Sequence, residues 1–142
     1  MLKVTINDVG GKVVKKDARY TVTDNTSLKN LVVSSTTLKA NRSTNGHKHE
    51  GQEEVYMFIK GNGWMTLDDD RFLVKEGEMV LIEDGVFHKI EAGPGGVYFV
   101  CVFDGTRSTE DAIKMKEEAD KIVDMYTTCL LYTSDAADDL LC

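Results

Sequence analysis

His47 and His49 stand one residue apart within Gly46-His-Lys-His-Glu-Gly-Gln-Glu-Glu-Val-Tyr-Met-Phe-Ile-Lys-Gly61, and this spacing constrains the chain more than any other feature. In an extended chain, residues two apart point to the same side. The two imidazoles can therefore aim at one point. Glu53 and Glu54 follow, and they reach that point only if the chain turns between, which Gly51 allows. The third histidine, His88, lies downstream in Gly77-Glu-Met-Val-Leu-Ile-Glu-Asp-Gly-Val-Phe-His88. Three imidazoles and a carboxylate suit a divalent transition metal and leave open positions for water or substrate. Only a neutral imidazole binds a metal, so occupancy falls at acidic pH.

The rest of the chain reads as short strands broken by turns. Residues 2–6 alternate, Gly10-Gly11 signals a hairpin, and residues 12–15 return. Residues 19–23 are β-branched and aromatic, and residues 31–40 are rich in Val, Ser and Thr. Residues 54–60 place Glu54, Tyr56 and Phe58 on one face and Val55, Met57 and Ile59 on the other. Both faces are largely apolar, as in a strand covered on both sides. Gly61-Asn62-Gly63 predicts a hairpin turn before residues 64–67, and Asp68-Asp69-Asp70 another before residues 71–75. Residues 79–82 form a short apolar strand, and residues 86–92 carry His88 with Val86 and Ile90 on its face. Gly93-Pro94-Gly95-Gly96 predicts a loop, and residues 97–103 a buried strand. Helical spacing begins only at Ser108, a cap, with Asp111 three residues on. Ala112, Met115, Ala119, Ile122, Val123 and Tyr126 then recur three and four apart, which predicts a helix over 107–128 packed on the outside of the β domain. Many short strands followed by one helix define an all-β sandwich or barrel with a C-terminal α-helix.

The length, 142 residues, is that of one domain. A net charge of −7 with no basic cluster argues against nucleic acid and anionic membrane surfaces as partners. No apolar run reaches the length of a membrane-spanning helix, and the N-terminus lacks a signal-peptide core. A cytoplasmic location is the expectation. Residues 129–142 resemble the in-frame translation of a sequencing adaptor and are set aside as a non-native tail. Without Asp135, Asp138 and Asp139 the charge becomes −4, and without Cys129 and Cys142 only Cys101 remains, so no disulfide framework is expected. Cys101 reads as an inert core residue.

The two histidine-bearing stretches resemble the two motifs of the cupin superfamily. The first motif is Gly, five residues, His-x-His, three or four residues, Glu, six residues, Gly. His47, His49, Glu54 and Gly61 occupy its places. The second is Gly, five residues, Pro-x-Gly, two residues, His, three residues, Asn. Gly77, Gly85 and His88 match it. Asn41, Glu83 and Ala92 depart from the opening Gly, the Pro and the closing Asn, and none of those is a ligand position. Asn41 still suits a left-handed backbone and Glu83-Asp84-Gly85 still reads as a turn. The resemblance covers roughly residues 30–103 and uses every histidine in the chain.

The resemblance implies a jelly-roll β-barrel over residues 1–106 that holds one divalent metal (Fe, Mn, Zn or Ni) on His47, His49, Glu54 and His88. Glu54 is preferred to Glu53 because it stands six residues before Gly61. It also implies a small-molecule substrate, with Glu54 and His88 at the chemistry and Arg42, Tyr56 and Phe58 as candidate substrate contacts. The expected activity is that of a sugar or sugar-phosphate isomerase or epimerase. An iron-dependent dioxygenase and a non-catalytic binding module are the alternatives. Small cupins commonly pair, so a homodimer is expected.

Overall fold

A computed structural model describes residues 2–105, and these hold seven strands. They are β1 (Lys12–Lys16), β2 (Tyr20–Asn25), β3 (Leu31–Leu38), β4 (Glu54–Leu67), β5 (Asp70–Lys75), β6 (Met79–Ile82) and β7 (His88–Asp104). Every pairing is antiparallel, in the order β1-β2-β3-β7-β4-β5, with β6 also on β4. The helix expected over 107–128 and the tail at 129–142 lie outside the described residues.

The architecture depends on two long strands that fold over together. The first half of β4 lies between β6 and the end of β7, with Glu54 opposite Ile82 and Phe103. Its second half lies between β5 and the start of β7, with Met65 opposite Phe72 and Ile90. The register shifts between Phe58 and Lys60 and again between Gly61 and Gly63. Gly61 has φ +78°, and a Cβ on it would run into the Gly96 carbonyl. A left-handed glycine against a neighbouring backbone is what a β-bulge needs to bend a strand.

Two sequence expectations are corrected here. Gly61-Asn62-Gly63 is not a hairpin, and Gly93-Pro94-Gly95-Gly96 is not a loop between strands, since both lie within continuous strands. Turn composition marks a change of direction. It does not say whether the chain reverses or two paired strands bend as one. A third expectation also fails. Residues 2–6 form no strand, and a Thr5–Asp8 bridge closes a tight turn there. The alternating Leu2, Val4 and Ile6 remain exposed, because no sheet partner among the described residues covers them. The edge hairpin is β1–β2, closed at Asp17, whose Oδ1 accepts from the Arg19 amide at 2.7 Å.

The fold-over gives two layers, and the alternate residues of each meet in one core. Tyr56, Phe58 and Phe99 come from one layer and Met65, Val74 and Ile90 from the other. Phe58 and Ile90 are 1% exposed and Met65 is fully buried. Each such side chain contributes roughly 1.5–3 kcal/mol from burial. The inward row Glu54, Tyr56, Phe58 is as the alternation predicts.

Candidate metal centre

The site forms where the loop before β4 is stitched to the start of β7. Thr44 donates its amide to the Ile90 carbonyl at 2.9 Å, and its Oγ1 accepts from the Ile90 amide at 3.1 Å. His47 and His88 exchange two backbone hydrogen bonds, of 3.0 and 2.9 Å. The backbone thus holds the first and third histidines side by side, although they stand 41 positions apart in sequence. Their rings meet edge to face with centroids 4.6 Å apart, and the His49 ring lies 4.8 Å from that of His47.

A second clamp fixes His49. The His49 carbonyl accepts from the Gly85 amide at 2.9 Å, and the Gly51 amide donates to Asp84 Oδ1 at 2.6 Å. Gly51 adopts φ +80°, which supplies the turn that its place between His49 and Glu54 requires. Asn41, in the position of the family's glycine, has φ 58°, as a left-handed asparagine can. Gly85 also turns left-handed, so the Glu83-Asp84-Gly85 turn persists without the family's proline.

One ring nitrogen from each of His47, His49 and His88 lies within 4.8 Å of the others. His88 is 3% exposed, and its Nδ1 is 3.1 Å from the Val86 carbonyl. A carbonyl only accepts, so Nδ1 carries the proton and Nε2 presents its lone pair to the site. That Nε2 is buried and lacks a hydrogen-bond partner among the described residues. An orphaned buried acceptor beside two more imidazoles fits a metal ion, because coordination satisfies the lone pair. His47, His49 and His88 would hold the ion.

Glu54 stands at the inner side of this group, 7% exposed. Its Oε2 is 3.6 Å from His88 Nε2 and its Oε1 is 3.9 Å from His49 Nε2. Both distances exceed a hydrogen bond. Burial raises the Glu54 carboxyl to about 7, and a hydrogen bond with the Tyr56 hydroxyl acts the other way. Burial pushes the imidazoles the opposite way. His47 falls to about 4, chiefly because the surrounding chain keeps water from its ring although the residue as a whole is exposed, and then through the charges of His88, His49 and Lys15. Burial also lowers His49 and His88, and the Val86 carbonyl partly offsets this at His88. At neutral pH the rings are uncharged and have the lone pairs that a metal needs.

The remaining expected site residues are placed as follows. Tyr56 lies 5.7 Å from the His88 ring and stacks on Phe99 at 5.0 Å, so it borders the site. Phe58 lies deeper, tilted against Phe99 at 5.7 Å, and fills the interior. Arg42 is exposed and its backbone pairs with Lys39 and Ala92. Sequence reasoning missed Asp84 as the brace of the His49 turn. The residue was legible as part of a turn, but its partner, Gly51, is 33 positions away. Burial raises the Cys101 thiol, which agrees with an inert core residue.

Residues 34–103 match the cupin domain family model, and the chain belongs to the cupin superfamily. Among known proteins, it is similar to the uncharacterized protein MJ1618 of Methanocaldococcus jannaschii, with 47% identity over 45 residues. That match spans 32% of this chain and 36% of the relative's length. Among solved structures it is similar to KdgF from Halomonas sp., with a TM-score of 0.60 and 11% identity over 66% of this chain and 86% of that one. A Bacillus subtilis oxalate decarboxylase mutant gives a TM-score of 0.57 and 25% identity over 63% of this chain and 26% of that one. A predicted oxalate decarboxylase of Thermotoga maritima gives 0.56 and 24% over 60% and 79%. These likenesses agree with the all-β antiparallel architecture described above.

Proposed function

We propose that this chain is a metal-dependent enzyme acting on a small molecule, an isomerase or epimerase of a sugar or sugar phosphate. The observation that carries this reading is Glu54, a buried carboxyl 3.6 Å from His88 Nε2 and 3.9 Å from His49 Nε2, which burial raises to about 7 in the metal-free chain. A general acid–base is most effective when its pKa lies near the working pH. A divalent metal, when bound, supplies Lewis-acid polarisation of a substrate carbonyl or hydroxyl oxygen. The chain's own residues do the rest. Val86 fixes the tautomer of His88, so its Nε2 is always the lone-pair nitrogen. Glu54 takes the proton from the carbon beside the carbonyl and returns it to the neighbouring carbon or to the opposite face. The Tyr56 hydroxyl hydrogen bonds to Glu54 while that carboxyl is ionised. The Tyr56–Phe99 stack closes the inner wall against water.

The test is deuterium uptake. Metal-loaded protein in heavy water is incubated with a panel of aldoses, ketoses and their phosphates. Oxalate joins the panel because one solved relative is an oxalate decarboxylase. Deuterium entering the carbon next to a carbonyl, and lost in Glu54→Gln, supports the proposal. Oxygen consumption without deuterium uptake would move the chemistry to the iron-dependent dioxygenase class. A metal-bound protein with neither response is a binding module.

A further inference from the structure

The segment that presents His47 carries one residue more than the strand beside it. Thr44 bonds to Ile90, and His47 pairs with His88. Between these two pairings the segment has Asn45 and Gly46, whereas β7 has only Lys89. The extra residue makes a β-bulge, with Gly46 left-handed at φ +81°. The bulge decides where His47 points. Without it Gly46 would stand opposite His88, and His47 would project from the other face of the ladder.

Phe87 packs against this bulge. A Cβ on Gly46 would run into the Phe87 ring and press on Lys89, so the ring fills the space that a side chain there would need. Phe87 is itself fixed from the end of β4. Asp68, in the β4–β5 turn, donates its amide to the Phe87 carbonyl at 2.9 Å, and its Oδ1 accepts from the Phe87 amide at 3.0 Å. One residue thus takes both backbone polar groups of Phe87. Asp68 adopts φ 50°, a left-handed conformation that an aspartate can hold. Neither Asp68 nor Phe87 stands at a position that the two histidine motifs specify. His49 has a separate clamp in Asp84 and Gly85, and His88 lies on β7 itself, so the ring bears on His47 alone of the three.

We propose that Phe87, anchored by Asp68, is a positioning residue for His47: its ring sets the Gly46 bulge, and the bulge sets the direction from which the His47 imidazole joins those of His49 and His88. The inference rests on the metal-centre reading and assigns the placement of one of its three imidazoles.

Cobalt is the probe, followed in the full chain by its affinity and by its visible absorption bands. In Phe87→Ala the affinity falls about tenfold, the lower end for a partner one step behind a ligand, and the bands shift. The loss disappears in a His47→Ala background, because the ring acts through that imidazole. Asp68→Asn keeps the acceptor and the left-handed turn, and it binds cobalt as the wild type does. Asp68→Gly keeps the turn without the acceptor, and it departs from the wild type in the same direction as Phe87→Ala. Wild-type affinity and bands in both Phe87→Ala and Asp68→Gly overturn the inference alone. So does a loss of equal size with and without His47, which would place the effect at another residue. Should Phe87→Ala not fold, equal affinity and bands in Asp68→Asn and Asp68→Gly overturn it. A wild type that takes up no cobalt overturns the metal centre and this inference with it.

Discussion

Glu54 and Phe58 lie four residues apart on the same inward face of β4, and both are nearly inaccessible, 7% and 1% exposed. Phe58 is surrounded by side chains that complete it, Phe99 among them. Glu54 has a hydrogen bond with the Tyr56 hydroxyl, but its other neighbours do not complete it. The imidazoles beside it stand beyond hydrogen-bond distance, and His88 Nε2 has no partner among the described residues. Burial is therefore common to both ends of the strand and does not separate packing from chemistry. Unsatisfied polarity does. A buried polar group costs free energy unless it is paired, so a buried imidazole nitrogen left without a partner among the described residues, beside two more imidazoles, marks where something else binds.

The contrast can be broken from either side. The largest expected effect is at the packed end. Phe58→Ala should lower stability by about 3–5 kcal/mol in chemical denaturation, because the rigid core cannot close the cavity. The folded fraction should still take up metal as the wild type does. Loss of metal from folded Phe58→Ala would mean that interior and site are one unit.

A smaller effect is expected at the brace. Asp84→Ala removes the acceptor for the Gly51 amide and frees the His49 turn. Outer-shell partners of metal ligands typically matter at about tenfold in affinity or more. Calorimetric titration with zinc should show about that loss, with stability changed by no more than about 1.5 kcal/mol. Unchanged zinc affinity would show that the backbone pairing of His47 with His88 suffices.

The third effect is a matter of protons. In the metal-free protein the Glu54 carboxyl, raised to about 7, is protonated at pH 6, while His47, lowered to about 4, is neutral there. Metal binding favours the carboxylate, so at pH 6 it should release about one proton, falling toward zero above pH 8. Titrations in buffers of different ionisation heat measure this number, and Glu54→Gln should abolish it. The same carboxyl sets a sign for stability. Its folded value lies above its unfolded one, so its contribution is present below about pH 4.5 and is lost as pH rises through 7. The depressed His47 acts oppositely, and its cost fades as pH rises from about 4 to 6.5. The stability difference between wild type and Glu54→Gln should therefore fall across pH 5 to 7.5.

Much of this was legible in the sequence. Alternation placed Glu54, Tyr56 and Phe58 on one inward face, and the three histidines announced a common point. Asn41 and Gly51 gave the backbone conformations that their residue types suggest. The failures share a cause. Gly61 and Gly93 to Gly96 signal bends, but whether a bend reverses a chain or folds two paired strands together depends on a partner distant in sequence. Leu2, Val4 and Ile6 alternate like a strand, but a strand also needs an edge to join. Asp84 was legible only as part of a turn, and it matters through Gly51, which the fold brings against it.

Three imidazoles from two distant segments are brought together where they could hold one metal ion. The direct measurement is metal content of the purified chain beside a His47→Ala/His49→Ala double variant, each after incubation with iron, manganese, zinc and nickel. Close to one ion per chain is expected in the wild type and none in the variant, with the secondary structure of both unchanged. No metal in either protein, or equal metal in both, would contradict it.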